Sequence, residues 1–140
     1  MTDYLALLPH TPPMRLPEEV LELVPGERCT ARRVTHPDDF YFQGHFPGNP
    51  VVPACILLEL LAQTGGLAAG STISSREPIQ LRVAAVGQCK FPSAAFAGAV
   101  LEASARVVGQ LGSLFRVDGT VTADGVVVAS GGVTLARVAE

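Results

Sequence analysis

FYFQGHFPGNPVVP, residues 40–53, runs without a break into ACILLELLAQTGGLAAG, residues 54–70, and this stretch decides the architecture. Its first part crowds prolines, glycines and aromatics too closely for a regular element, so it reads as a shaped loop. Its second part is apolar on every face, which predicts a long helix buried all round rather than laid on a surface. Pro53 suits the first turn of that helix, where a missing N–H costs nothing. Gly65, Gly66 and Gly70 offer ends for it. Such a helix spans about 25 Å at roughly 1.5 Å per residue.

Upstream, Tyr4 to Leu8 is expected to form one helical turn, stopped by Pro9, Pro12 and Pro13. Arg28 to Thr35 has strand-like content. Downstream the chain reads as β: Ile79 to Phe91, Val100 to Val108, Leu114 to Thr122 and Val126 to Val138 are rich in β-branched residues or alternate. Asp124-Gly125 between two such runs is a tight-hairpin signal, because the pair tolerates positive φ. Val108 to Gly112 is a looser one. The outline is a strand, a shaped loop, one buried helix and an antiparallel meander, and an α+β sheet wrapped around one central helix satisfies it.

A chain of 140 residues fits a single domain, residues 1–140, able to bury a real core without disulfides or metals. With 48% hydrophobic and only 16% charged residues, a monomer would leave much apolar surface bare, so an oligomer with a large interface is expected. The formal net charge of −3 argues against a nucleic-acid binder. Cys29, Cys55 and Cys89 are odd in number and widely spaced, as in a reduced cytoplasmic protein. The first residues lack the basic region and long apolar run of a signal peptide, and the greasiest segment is interrupted by Glu59 and Gln63. A soluble, cytoplasmic protein without membrane attachment is the expectation.

Two residues stand out chemically. Glu59 is a carboxylate in a greasy helix, where burial favours the neutral form that a general acid needs. Gln63, one turn further, shares its face and is placed to orient it. The alternative is that both mark the wet stripe of an ordinary helix. His45 sits in the stiff loop beside Phe46, and histidine suits proton abstraction near neutral pH; its alternative is a ring satisfied by backbone hydrogen bonds. His10 and His36, each beside a proline, read as structural. The free amides of Ala54 and Cys55 at the positive end of the helix dipole suit a developing oxyanion. Base, acid and oxyanion site together fit proton abstraction next to a carbonyl. Spacing does not say whether His45 and Glu59 meet within one chain.

GHFPGNPVVPACILLELLAQTGG, Gly44 to Gly66, closely resembles the central motif of the (3R)-hydroxyacyl-acyl-carrier-protein dehydratases of bacterial fatty-acid synthesis. Leu7-Leu8-Pro9-His10 is similar to that family's start, and Lys90-Phe91 with Phe96-Ala97-Gly98 is a looser echo. The resemblance implies a hot-dog fold working as a homodimer or a trimer of dimers. It places the catalytic pair on His45 and Glu59, which in the family meet across the dimer interface, with Ala54, Cys55, Gln63 and Phe46 around the substrate. It implies an acyl thioester on carrier protein or coenzyme A and no cofactor or metal. Glutamate at the helix position favours plain dehydration, whereas Cys55 is a feature of the branch that also isomerises. Ala54 replaces the usual glycine, and Ala97-Gly98-Ala99 replaces a Pro-Gly-Asp turn; both departures suit a specialised pathway such as polyketide or polyene synthesis. Arg32, Arg33, Arg76, Arg82 and Lys90 are the basic candidates for carrier docking. The competing readings are a hot-dog thioesterase and a catalytically silent partner subunit or acyl-binding module.

Overall fold

The computed structural model describes residues 3–74 and 76–138. A long helix, α1 (Ala54–Gly70), lies against an antiparallel sheet built from β1 (Glu19–Val24), β2 (Arg28–Val34), β3 (Leu81–Lys90), β4 (Val100–Leu111), β5 (Leu114–Ala123) and β6 (Val126–Arg137). The strand order is β1-β2-β4-β5-β6-β3. This is the sheet wrapped around a helix that the hydrophobic pattern predicts.

Alternation decides which strand residues meet the helix. Leu101, Ala103 and Ala105 of β4 and Val117 and Val121 of β5 are buried, while Ser104, Arg106, Arg116 and Asp118 point to the outer face. Small residues let α1 approach closely. A Cβ at Gly119 would strike the Ser104 carbonyl and come within 2.7 Å of Leu61 Cδ1, and one at Gly65 would lie 2.6 Å from Val117 Cγ1. Leu60, Leu61, Leu67, Ala68 and Ala69 are covered, whereas Ala54 and Cys55 at the helix start are exposed. The helix is therefore enclosed along most of its length and open at its N-terminus.

Four details depart from the sequence reading. The first half supplies two strands, since β1 pairs with β2 ahead of the shaped loop; its burial is irregular, which hid its period. The segment expected to open the meander, β3, pairs with β6 at the far edge rather than with β4. The first hairpin turns at Gly112-Ser113, with Leu111 facing Leu114, and Gly109 lies inside β4 beside a register shift. The shaped loop begins with a short 3-10 turn, Phe40–Phe42. The second hairpin is as expected: Asp124 and Gly125 both take positive φ between Ala123 and Val126. No helix among the described residues is long and apolar enough to cross a membrane.

Candidate active site

The loop that carries His45 is held by its own backbone. The His45 amide donates to the Phe42 carbonyl, the Val51 amide to His45 O, and Phe46 and Asn49 exchange amide bonds. The Val52 amide donates to Ala95 O, and Val51 bridges to Phe96, so the loop is also tied to the segment that leads into β4. Within this frame the His45 ring stacks on Phe46 at 4.2 Å between centroids. Its Nδ1 lies 2.9 Å from the Val51 carbonyl oxygen. A carbonyl can only accept, so Nδ1 carries the hydrogen and Nε2 keeps a free lone pair.

Helix α1 starts just past this carbonyl. Pro53 O accepts from the Ile56 and Leu57 amides, and no side chain among the described residues caps the helix start. The Ala54 and Cys55 amides precede the first intrahelical bond and sit at the exposed, positive end of the helix dipole. Cys55 is a free thiol there. Phe46 is also exposed, and its ring forms one wall beside His45.

Glu59 lies further along α1 and is held by Gln63. The Gln63 amide is 2% exposed and its orientation is set by backbone partners: Oε1 accepts from the Leu16 amide at 2.9 Å, and Nε2 donates to Met14 O at 2.8 Å. That leaves Nε2 to donate to Glu59 Oε2 as well, at 2.7 Å. A second side chain approaches the same oxygen, since His10 Nε2 lies 3.7 Å from Glu59 Oε2. Glu59, Gln63 and His10 line one cavity of about 190 Å³ with apolar walls from Leu8, Ala62 and Leu135 and with Leu81, Arg82 and Val83 of β3. His10, read as structural from its proline neighbour, thus stands at the carboxylate. The Leu-Leu-Pro-His run was the signal that could have found it.

A second buried cluster links the loop to the helix. Arg33 contacts Asp39 Oδ1 at 3.1 Å, donates to Tyr41 Oη at 3.1 Å, and donates to Leu16 O at 2.9 Å. The Tyr41 hydroxyl and the His36 amide both donate to Asp39 Oδ2. Burial alone would push the Asp39 carboxyl up, but the hydrogen bonds from Tyr41 and His36 and the Arg33 charge hold it below the usual carboxylate range. Burial and the Asp39 hydrogen bond together push the Tyr41 hydroxyl up. Arg33 is therefore an internal brace and not a docking residue, because its guanidinium is spent on groups within the fold. The bonds run from the His45 loop through Arg33 and the Leu16 peptide to Gln63 and Glu59.

The structure brings Glu59 and Gln63 together, stacks His45 on Phe46 in the loop that runs into α1, and leaves Ala54 and Cys55 exposed at the helix start. Among the described residues, His45 and Glu59 share no hydrogen bond within one chain, and His45 does not line the Glu59 cavity. His45 and Glu59 thus stand in separate surroundings within one chain. The cavity at Glu59 abuts β3, the sheet edge, whose Val83 and Val86 are exposed.

Comparisons with known proteins speak to the family and the fold. A family model described as a FabA-like domain matches residues 8–132. The 3-hydroxyacyl-acyl-carrier-protein dehydratase FabZ of Roseiflexus castenholzii is 33% identical over 129 residues, 92% of this chain and 90% of that protein. The dehydratase of the same name from Chloroflexus aggregans is 46% identical over 67 residues, 48% of this chain and 46% of that protein. Among solved structures, a chain of the dehydratase heterocomplex ApeI:P from Xenorhabdus doucetiae superposes with a TM-score of 0.83 at 17% identity, covering 98% of this chain and 91% of that one. One helix against a six-stranded antiparallel sheet is the hot-dog fold. The chain belongs to the FabA-like family of hot-dog proteins.

Proposed function

We propose that this chain dehydrates a (3R)-hydroxyacyl thioester carried on acyl carrier protein to the trans-2-enoyl thioester, a hydro-lyase step of fatty-acid synthesis. The observation that carries the reading is the fixed His45 ring, with Nδ1–H on Val51 O and Nε2 left for chemistry, in the loop that runs into the uncapped start of α1. The thioester carbonyl oxygen accepts from the Ala54 amide, with Cys55 and Phe46 flanking it. His45 Nε2 removes the α-proton while enolate charge builds on that oxygen. Glu59, oriented by Gln63, protonates the departing hydroxyl, and water leaves. This α-carbon is acidic enough that no cofactor enters the scheme.

His45 and Glu59 complete each other across a homodimer, alone or within a trimer of dimers. Support comes from the exposed apolar edge of β3, which invites strand pairing and lies beside the Glu59 cavity. A step of fatty-acid synthesis on acyl carrier protein fits a cytoplasmic setting.

The test follows absorbance of the enoyl-thioester band with purified protein and crotonyl or longer enoyl thioesters on carrier protein. Wild type hydrates reversibly without releasing free thiol, and His45→Ala and Glu59→Gln each lose turnover. Mixing the two inactive variants restores roughly a quarter of wild-type activity, since half the dimers are mixed and each of those keeps one intact site. Full activity of both variants on a substrate that still binds would end the mechanism.

One observation favours a second reading. His45 does not line the Glu59 cavity of its own chain, and the structure superposes well on a chain of a dehydratase heterocomplex. In that reading a different hot-dog chain supplies the other half. Purified chain that is folded and dimeric yet inactive until such a partner is added would establish it.

A further inference from the structure

The Glu59 cavity holds one chemically active side chain that the scheme above does not use. His10 is partly exposed, its Nε2 is 3.7 Å from Glu59 Oε2, and its Nδ1 is buried with no hydrogen-bond partner among the described residues. Orphaned N–H groups are rarer in protein interiors than unsatisfied acceptors, so the buried Nδ1 is the bare nitrogen and the hydrogen sits on Nε2. That hydrogen is on the nitrogen nearest Oε2. Gln63 Nε2 donates to the same oxygen, and its orientation is imposed by Leu16 and Met14 rather than by Glu59. Both donors therefore converge on one oxygen of the carboxyl group, and Oε1 has no hydrogen bond among the described residues.

We propose that His10 is a positioning residue for the acid step: with Gln63 it makes Oε2 the accepting oxygen of Glu59, so that Oε1 carries and delivers the proton. This rests on the reading of Glu59 as the general acid. In the dehydration step the Oε1–H bond breaks as the departing hydroxyl takes that proton. The C3–O bond breaks and water leaves, and the α-C–H pair becomes the C2–C3 double bond as His45 Nε2 takes the α-proton. Glu59 is left as a carboxylate. At 3.7 Å the His10 contact is too long for a hydrogen bond. It shortens as negative charge develops on the carboxyl, so it stabilises the product of proton delivery more than the resting acid. The proton on His45 returns to Glu59 through solvent before the next turnover. Arg82 is the other charged side chain lining this cavity.

The experiment compares His10→Phe, His10→Gln and Glu59→Gln in the enoyl-thioester assay, with folding and dimer formation checked for each. Phenylalanine keeps the ring volume, and it removes no partner from Nδ1, which has none. His10→Phe is expected to lower kcat on the order of tenfold or more at unchanged KM, the usual scale for a hydrogen bond to a charged group. His10→Gln, which restores a donor at similar reach, is expected to recover most of that loss. Recovery by glutamine separates donation to Glu59 from ring packing. Wild-type kcat in His10→Phe, a change confined to KM, or failure of His10→Gln to recover activity overturns the proposal. Retained turnover in Glu59→Gln instead overturns the acid assignment beneath it, so the two failures are distinct.

Discussion

Gln63→Met tests whether one buried amide couples the fold to the reactive carboxyl. Methionine matches the length of glutamine but removes its polar end. The Leu16 amide loses its acceptor, and Leu16 is fully buried, so the stranded N–H costs about 1–3 kcal/mol. Met14 O and Glu59 Oε2 also lose a donor, but solvent reaches both, since Met14 is 42% exposed and the Glu59 side chain 31%. Their joint loss adds about 1 kcal/mol. Burial of the thioether returns roughly 1 kcal/mol, leaving a net destabilisation of about 2 kcal/mol. For 140 residues, an unfolding entropy of about 2.1 cal/mol/K per residue converts this to a Tm drop of about 7 °C at fixed protein concentration. The same change frees the Glu59 carboxyl to rotate, so kcat falls on the order of tenfold. Differential scanning calorimetry and the enoyl-thioester assay read the two effects. Glu59→Gln separates them, since it abolishes turnover while shifting Tm little. A Gln63→Met chain with unchanged Tm would mean that the Leu16 amide finds another partner, and unchanged kcat would mean that Glu59 needs no amide to hold it.

Further outcomes follow from the same contacts. The Asp39 carboxyl lies below its unfolded value, so its contribution to stability is complete above about pH 4 and is lost as pH falls through the folded value; Asp39→Asn should flatten that part of a denaturation-versus-pH curve, and an unchanged slope would contradict the assignment. Gly119→Ala drives a methyl into the Ser104 carbonyl and Leu61, so it should cost about 2 kcal/mol or more in denaturant unfolding. Burial, helped by the Glu22 charge, pushes the Cys29 thiol up to about 12, while Cys55 is exposed at the helix start. Iodoacetamide should therefore label Cys55 and spare Cys29 in the folded protein, with activity lost in step and protected by bound thioester, as mass spectrometry would show.

How much was legible in the residues varied with the range of the interaction involved. The shaped loop, the enclosed helix and the Asp124-Gly125 hairpin rest on local rules, and each is present at its expected place. His45, Glu59 and Gln63 were legible for the same reason: a polar residue in an apolar helix or a stiff loop is costly and stands out. The place of β3 was not, because strand order is set by which edges close over the helix, and β3 joins β6 through pairs as far apart in the chain as Leu81 and Arg137. The contacts of His10 and Arg33 were not legible, because their partners lie on other segments of the chain. Arg33 among alternating strand residues looks like solvated surface until Asp39, Tyr41 and the Leu16 carbonyl surround it. Sequence alone thus determined most of the elements, the fold class and the chemical types at the candidate site, since these follow from periodicity, backbone freedom and desolvation. Only the tertiary structure decided which donors converge on Glu59 Oε2, which ring nitrogen of His45 meets Val51 O, and that His45 does not line the Glu59 cavity. Those are matters of direction and distance between segments that the fold, not the neighbouring residues, brings together.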